Sequence, residues 1–285
     1  MIRPRRVARG VELFPARTPT LPPATHTNSY AVGDRDVLLV EPATPHEDER
    51  RAWLEWARGI ESQGRKIAGI FMTHHHADHV AGASFFATSL NVPLFAHAAT
   101  AKRLPDIDIT SVIDESHVFD LGGQVPMRLR VLHTPGHAPG HLCLYDDEAK
   151  TVIVGDMVAS VGTILVDPRD GDMQAYLAQI DRLANLSAHV ALPAHGEPID
   201  EPTALFRHYI AHRLAREEKV MAAVSAASTE GATVETLVPV AYADTPRMLW
   251  PIAALSLEAH LIKLMREGRV EAVGSGAYRR KDLQG

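Results

Sequence analysis

Thr73-His74-His75-His76-Ala77-Asp78-His79-Val80-Ala81-Gly82 is the stretch around which this chain is organised. It follows the apolar run Ile67 to Met72, whose composition predicts a buried strand, and precedes Val80 to Ser89, which reads as a short helix. Four histidines and an aspartate therefore crowd a strand-to-helix turn. Alternation at the strand end sends His74 and His76 to one side and His75 to the other. Asp78 suits a helix N-terminus, where free N–H groups want an acceptor. Imidazoles with a carboxylate among them form a ligand set for two adjacent metal ions, suited to Zn and also to Fe or Mn. The plainer alternative is a surface loop that happens to be rich in histidine, so the rest of the chain has to supply the missing ligands.

Three later stretches do so. His137 follows Thr134-Pro135-Gly136, a tight turn after a predicted strand ending at Leu132. Asp156 follows Gly155 at the end of the apolar run Thr151 to Val154, and His195 follows Pro193-Ala194 after the strand Val190 to Leu192. Each puts one ligand-type side chain just past a strand end, where a rigid strand aims the loop. Together they complete two shells: His74, His76 and His137 for one ion, Asp78, His79 and His195 for the other, with Asp156 between them. Asp78 is also the candidate catalytic carboxylate. His75 and His141 are expected to support the ligands rather than bind, and His97 and His133 to be structural.

Composition sets the bounds. A chain of 285 residues, 46% hydrophobic and 22% charged, allows one large domain or a domain plus a small partner. No apolar run reaches the ~20 residues expected of a membrane helix. The start, Met1-Ile2-Arg3-Pro4-Arg5-Arg6, lacks the apolar core of a secretory signal and reads as a basic first strand. The single cysteine, Cys143, lies in an apolar run and excludes an internal disulfide, so it reads as a core residue in a reducing compartment. Cytoplasmic location is expected, mitochondrial if the source is eukaryotic. Residues 1–202 hold 18 Lys and Arg against 26 Asp and Glu, a balance of −8, whereas residues 203–285 hold 11 against 9, a balance of +2. The asymmetry suggests two units, and the overall −6 argues against tight nucleic-acid binding.

Short strands dominate the first unit: Val11 to Phe14, Tyr30 to Val32, Asp36 to Val40, Val92 to Ala96, Phe119 to Leu121 and Met127 to Leu132. Helices over Glu47 to Ser62 and Asp172 to Ala184 break the series. Two sheets packed face to face and covered by helices follow from this pattern. From about Glu201 the texture changes to helices over Phe206 to Ala226, Thr233 to Val240 and Pro251 to Gly268. A hairpin, Val270 to Val273 with Ala277 to Arg280, closes the chain, and this order is that of a small winged-helix module.

The motif His-x-His-x-Asp-His, then Thr-Pro-Gly-His, Gly-Asp and Pro-Ala-His-Gly, resembles the metallo-β-lactamase superfamily over about residues 10 to 200. The resemblance implies an αββα sandwich with a dinuclear zinc site at one edge over residues 1–202, and a winged-helix-like unit over residues 203–285. It also implies a hydrolase in which hydroxide supplied by the two metals attacks an ester-type bond. The tail, with Phe206 to Arg213 and Ala259 to Leu264, resembles the lactamase-β-like group, whose animal member is an endoribonuclease acting on single-stranded RNA. The histidine run is also similar to that of glyoxalase II, a thioesterase, and a lactone or β-lactam substrate stays open. Cys143 does not stand where the best-known lactamases place a metal-binding cysteine, which argues against a dedicated β-lactamase. Glu41-Pro42-Ala43 stands where the family often has Asp-x-Gly, leaving the part played by that loop in doubt. Expected partners are a small ester-type substrate or single-stranded RNA, no membrane, and a second copy of the chain; a regulatory nucleic-acid-binding or partner-binding protein is the non-enzymatic alternative.

Overall fold

The computed structural model describes residues 4–281; Met1, Ile2 and Arg3 of the expected basic first strand lie outside them. The first sheet runs in chain order: β1 (Arg5–Ala8), β2 (Val11–Arg17), β3 (His26–Gly33), β4 (Asp36–Val40), β5 (Lys66–Phe71), β6 (Leu94–His97) and β7 (Ser111–Ile113). Strands β1 to β4 pair antiparallel and β4 to β7 parallel. The second sheet contains β8 (Val118–Leu121), β9 (Met127–His133), β10 (Leu142–Asp146), β11 (Thr151–Gly155) and β12 (Val190–Pro193), in the order β12-β11-β10-β9-β8. Between β6 and β8 the chain carries the short helix Ala98–Ala101 and β7.

Three apolar layers hold these sheets. Between the sheets lie Leu13, Tyr30, Leu38 and Phe71 against Leu129, Leu142, Leu144 and Leu192. Outside the first sheet, α1 (Glu47–Ser62) buries Trp53, Trp56, Ala57 and Ile60, a three- and four-residue spacing that forms one helical stripe. Its first turn holds Glu47, Asp48 and Glu49, which favours the positive end of the helix dipole. Outside the second sheet, Met173, Tyr176, Ile180 and Leu183 form the buried stripe of a helix over Met173–Ala184, capped by Asp172, whose carboxylate accepts from Ala175 N at 2.9 Å. The result is the expected helix-sheet-sheet-helix sandwich.

The helix expected over Val80 to Ser89 is two pieces, α2 (Ala77–Val80) and α3 (Ala83–Leu90). Gly82 separates them: its N–H donates to Pro42 O at 2.8 Å, and a Cβ there would stand 2.3 Å from the Phe86 ring. Numbering on, α4 is Ala98–Ala101 and α5 is Met173–Ala184. Helix α6 (Pro202–Ser225) begins four residues before the expected Phe206 and joins the two units. Its Phe206 and Tyr209 lie in the α5 core, while Val220, Ala223 and Val224 lie in a separate core with residues of α7 (Val234–Ala241) and α8 (Trp250–Arg266). A three-stranded sheet, β13 (Ala232–Thr233), β14 (Val270–Val273) and β15 (Ala277–Arg280), completes the winged unit in the order β13-β15-β14. The 20-residue helical stretch Arg247–Arg266 is long and apolar enough to cross a membrane, which the sequence reading did not expect. In this fold Leu257, Leu261 and Leu264 are buried within the winged unit.

Phe206 is fully buried where α6 meets α5, so Phe206→Ala should cost about 3–5 kcal/mol. The denaturant midpoint checks this; an unchanged midpoint would show that the helix junction carries no stability.

Candidate metal centre

The ligand-type residues sit at the ends of strands along one edge of the sandwich. Thr73 to His76 leave the end of β5, His137 follows β9, Asp156 follows β11 and His195 follows β12. All seven expected ligands come together there. His74 Nε2 lies 2.9 Å from His76 Nδ1 and 3.2 Å from His137 Nε2, and His137 Nε2 lies 2.9 Å from His76 Nδ1. Nitrogens at the ~2.0–2.1 Å zinc distance on a tetrahedron would stand about 3.3–3.4 Å apart, so this triangle fits one ion. Asp78, His79 and His195 form a second group, with His79 Nε2 at 3.8 Å and His195 Nε2 at 3.6 Å from the Asp78 carboxylate. Asp156 lies between the groups: Oδ2 is 3.5 Å from both His79 Nε2 and His137 Nε2, and Oδ1 is 3.3 Å from His195 Nε2.

The tautomers follow from what stands behind each ring. His137 Nδ1 donates to Leu165 O at 2.8 Å and His195 Nδ1 to His26 O at 3.0 Å, because a carbonyl can only accept. His76 Nε2 donates to the Asp170 carboxylate at 3.1 Å, and His79 Nδ1 to Glu41 Oε1 at 3.1 Å. The Thr73 hydroxyl donates to Glu41, so it accepts from His74 Nδ1 at 2.9 Å. In each neutral ring the far nitrogen therefore carries the hydrogen, and the near nitrogen turns a bare lone pair into the centre. His79 Nε2 and Asp156 Oδ1 are buried with no hydrogen-bond partner. Orphaned acceptors of this kind are what cations satisfy, and the donor set fits two divalent ions.

Electrostatics agree. Burial, with neighbouring His79, His76 and His137, holds His74 well below the ordinary imidazole value, and burial lowers His137 to about 4. Burial would raise Asp156, but facing His195 and His79 hold its carboxyl well below the usual range. Burial would also lower His79 and His195; Asp156 outweighs it in both and, with Asp78 and Glu41 at His79, raises them. Cations bound there would replace those protons.

The two supporting histidines behave differently. His141 turns Nε2 to accept from Asp156 N at 3.1 Å while Nδ1 donates to Thr134 Oγ1 at 2.8 Å, so it fixes the Asp156 backbone. Gly155 makes room for this: its φ is +48°, and a Cβ would lie 2.6 Å from His141 Nε2. His75 turns away from the nitrogen triangle, with Nε2 3.0 Å from Asp170. His97 and His133 stack on each other at 4.3 Å, away from the ligands, and Cys143 is buried beside Thr134, its thiol pushed up to about 12 by burial.

Several residues that matter here were not assigned their roles from the sequence. Glu41 replaces the family's Asp-x-Gly aspartate, yet its buried carboxylate orients His79 directly and His74 through Thr73, which corrects the doubt about that loop. Asp170, itself paired with Arg103 at 2.8 Å, holds His76. Asn28 donates to Pro193 O and Gly196 O at 2.9 and 2.8 Å, clamping both sides of His195. The strand expected over Tyr30 to Val32 begins earlier, at His26, so that Thr27, Asn28 and Ser29 are buried within β3.

Residues 22–195 match the family model of the metallo-beta-lactamase superfamily. The chain belongs to this superfamily. Residues 233–280 match the beta-lactamase associated winged helix domain. This superfamily member is 29% identical over 256 residues to a beta-lactamase-like protein 2 homolog of Drosophila melanogaster, with 86% of this chain and 84% of that one covered. It is also 29% identical over 202 residues to an atrochrysone carboxyl ACP thioesterase of Aspergillus chevalieri, spanning 70% of this chain and 60% of that longer one. The crystal structure of a beta-lactamase domain protein from Burkholderia ambifaria has the same fold, with a TM-score of 0.82 at 20% identity over 97% of this chain and 93% of that one. Family and donor set together make the chain a hydrolase with a His- and Asp-rich metal site.

Glu41→Gln keeps the shape of the side chain but removes the charge behind His79 and His74. Metal affinity should fall about 10–100-fold, measured by competition with a chromophoric chelator. Unchanged affinity would show that Glu41 does not orient the ligands.

Proposed function

We propose that this superfamily member hydrolyses acyl thioesters with two divalent ions held by His74, His76 and His137 and by Asp78, His79 and His195, with Asp156 between them. The observation that carries this reading is the mouth of the site, a cavity of about 280 Å³. Its floor is the ligand set, and its walls are the segments around Leu21 to Pro23 and Val161 to Leu165. Asp167 and Asp170 also line it, and the arginines beside them are already engaged, Arg169 with Asp167 and Arg103 with Asp170. A polyanion such as RNA binds through several unpaired cations, and none lines this mouth among the described residues. The basic cluster Arg279, Arg280 and Lys281 lines a different hollow, and Arg279 is paired with Glu271 at 2.7 Å.

The leaving group narrows the bond. No Lys, Tyr, Ser or Cys lines the cavity among the described residues. A thiol has a pKa near ~8.5 and departs as thiolate with little help, so the carboxyls of Asp78, Asp167 and Asp170 that line the cavity need supply no strong acid, whereas an alkoxide or amine would demand one. The thioesterase named among the relatives supports the same choice.

Ions in this site would polarise the carbonyl and bring the pKa of water toward neutrality. Asp78, whose side chain is 18% exposed and lines the cavity, is placed to take a proton from the attacking water. Water adds to the carbonyl carbon, the C–S bond breaks, and the proton passes to the departing thiolate, giving a carboxylic acid and a thiol. His137 and His195, locked by Leu165 O and His26 O, keep the ligand set fixed during turnover.

Thiol release from short acyl thioesters, run beside cleavage of a single-stranded RNA oligonucleotide, tests the reading. Thiol release should vanish with chelator, and Asp78→Ala should lower kcat about 10²–10⁴-fold. RNA cleavage without thioester turnover by the metal-loaded protein would overturn it in favour of a nuclease.

A further inference from the structure

A second cavity, of about 420 Å³, lies between the site loops and the winged unit. Leu21, Pro22, Pro23 and Gly162 to Leu165 line both this cavity and the mouth of the metal centre, so the two hollows adjoin along one pair of loops. Its far wall comes from α6, α8 and the segment after α7, with Ile252, Ala253 and Leu249 adding apolar surface. At the rim Leu21 is 53% and Leu249 43% exposed. Large exposed apolar side chains beside a cavity mark a surface that takes an apolar ligand.

One end of this cavity is polar in an unusual way. Arg213 lines it and is 4% exposed, and among the described residues no carboxylate pairs with it. Its guanidinium donates to Ile164 O, to Thr163 Oγ1 at 3.5 Å and to Ser256 Oγ at 3.4 Å, and its Nε makes no hydrogen bond. Neighbouring Arg216 differs: Asp244 engages it at 2.8 Å. The Tyr242 hydroxyl, also lining the cavity and buried, makes no hydrogen bond either. A buried cation without a counter-ion, next to an unused hydroxyl, costs stability unless an acceptor group arrives.

We infer that this cavity holds the acyl arm of the substrate, an apolar chain of medium length whose far end carries a carboxylate received by Arg213 and Tyr242. The inference rests on the thioester reading and adds to it the kind of acyl group. The thioester carbonyl then lies at the metal centre, the chain passes along Leu21 and Ile164, and the winged unit closes the far end. Arg213 has a second task, because Ile164 O, which it holds, adjoins Leu165 O, which orients His137. The test therefore has to separate binding of the chain from support of the loop.

The experiment compares kcat/KM for acetyl, hexanoyl and adipoyl thioesters of one thiol on metal-loaded protein. Titration calorimetry with the non-hydrolysable thioether analogues of the same chains accompanies it. Wild type should prefer adipoyl to hexanoyl and hexanoyl to acetyl. Arg213→Gln should lower the adipoyl-to-hexanoyl ratio about ten- to hundredfold, mainly through KM, and Arg213→Lys should restore part of it. Ile252→Trp, which fills the cavity, should lower the hexanoyl-to-acetyl ratio. An equal loss for every substrate in Arg213→Gln would assign the residue to loop support alone and overturn the proposal, as would wild type without chain preference. Thioether binding with the expected preference, but no thioester turnover, would sink the thioester reading while keeping the cavity assignment.

Discussion

The centre depends on one constraint: the far nitrogen of every metal-facing imidazole is committed to a fixed acceptor. His74 is held through Thr73, His76 by Asp170, His79 by Glu41, His137 by Leu165 O and His195 by His26 O. A histidine free to turn could satisfy itself on a neighbour, and the lone pairs would no longer converge. Holding these rings in place without a cation leaves buried acceptors facing one another, a cost the sandwich core has to offset. The strain that accompanies it is visible at Glu41, a non-glycine residue at φ +60°, a conformation that costs about 1–3 kcal/mol. That turn brings the carboxylate back under the histidines at the end of β5.

How this architecture arises is clear from which parts of it were legible in the sequence. The ligands were legible because each stands immediately past an apolar strand, and β-strands announce themselves by composition. Both units were legible as well, since the strand-rich texture gives way to helices near Glu201. Glu41, Asp170 and Asn28 were not, because their meaning lies in partners far along the chain. Asn28 binds carbonyls more than 160 residues away, and Asp170 meets His76 94 residues away. Periodicity reports which face of an element is buried and says nothing of such pairings. The polar start of β3 depends on such pairings too: Asn28 bonds Pro193 O of the other sheet, Thr27 pairs with Thr18 and Ser29 donates to Glu41 O.

Helix α6 belongs to both cores and joins the winged unit to the catalytic sandwich, and α8 adds Ala259 to the α5 core and pairs Arg266 with Asp172. Phe206 and Tyr209 pack with α5, and the far end of α6 packs with α7 and α8. Between these ends, Arg213 reaches back to the loop that orients His137. This buried link ties the helix shared by the two units to the loop behind His137, and the proposed acyl cavity lies beside it.

Anomalous diffraction at the zinc edge, from crystals grown with zinc, tests the central claim most directly. The account predicts two peaks, one among His74, His76 and His137 and one among Asp78, His79 and His195, with Asp156 adjoining both. No peak, or zinc held only by residues outside this set, would contradict it.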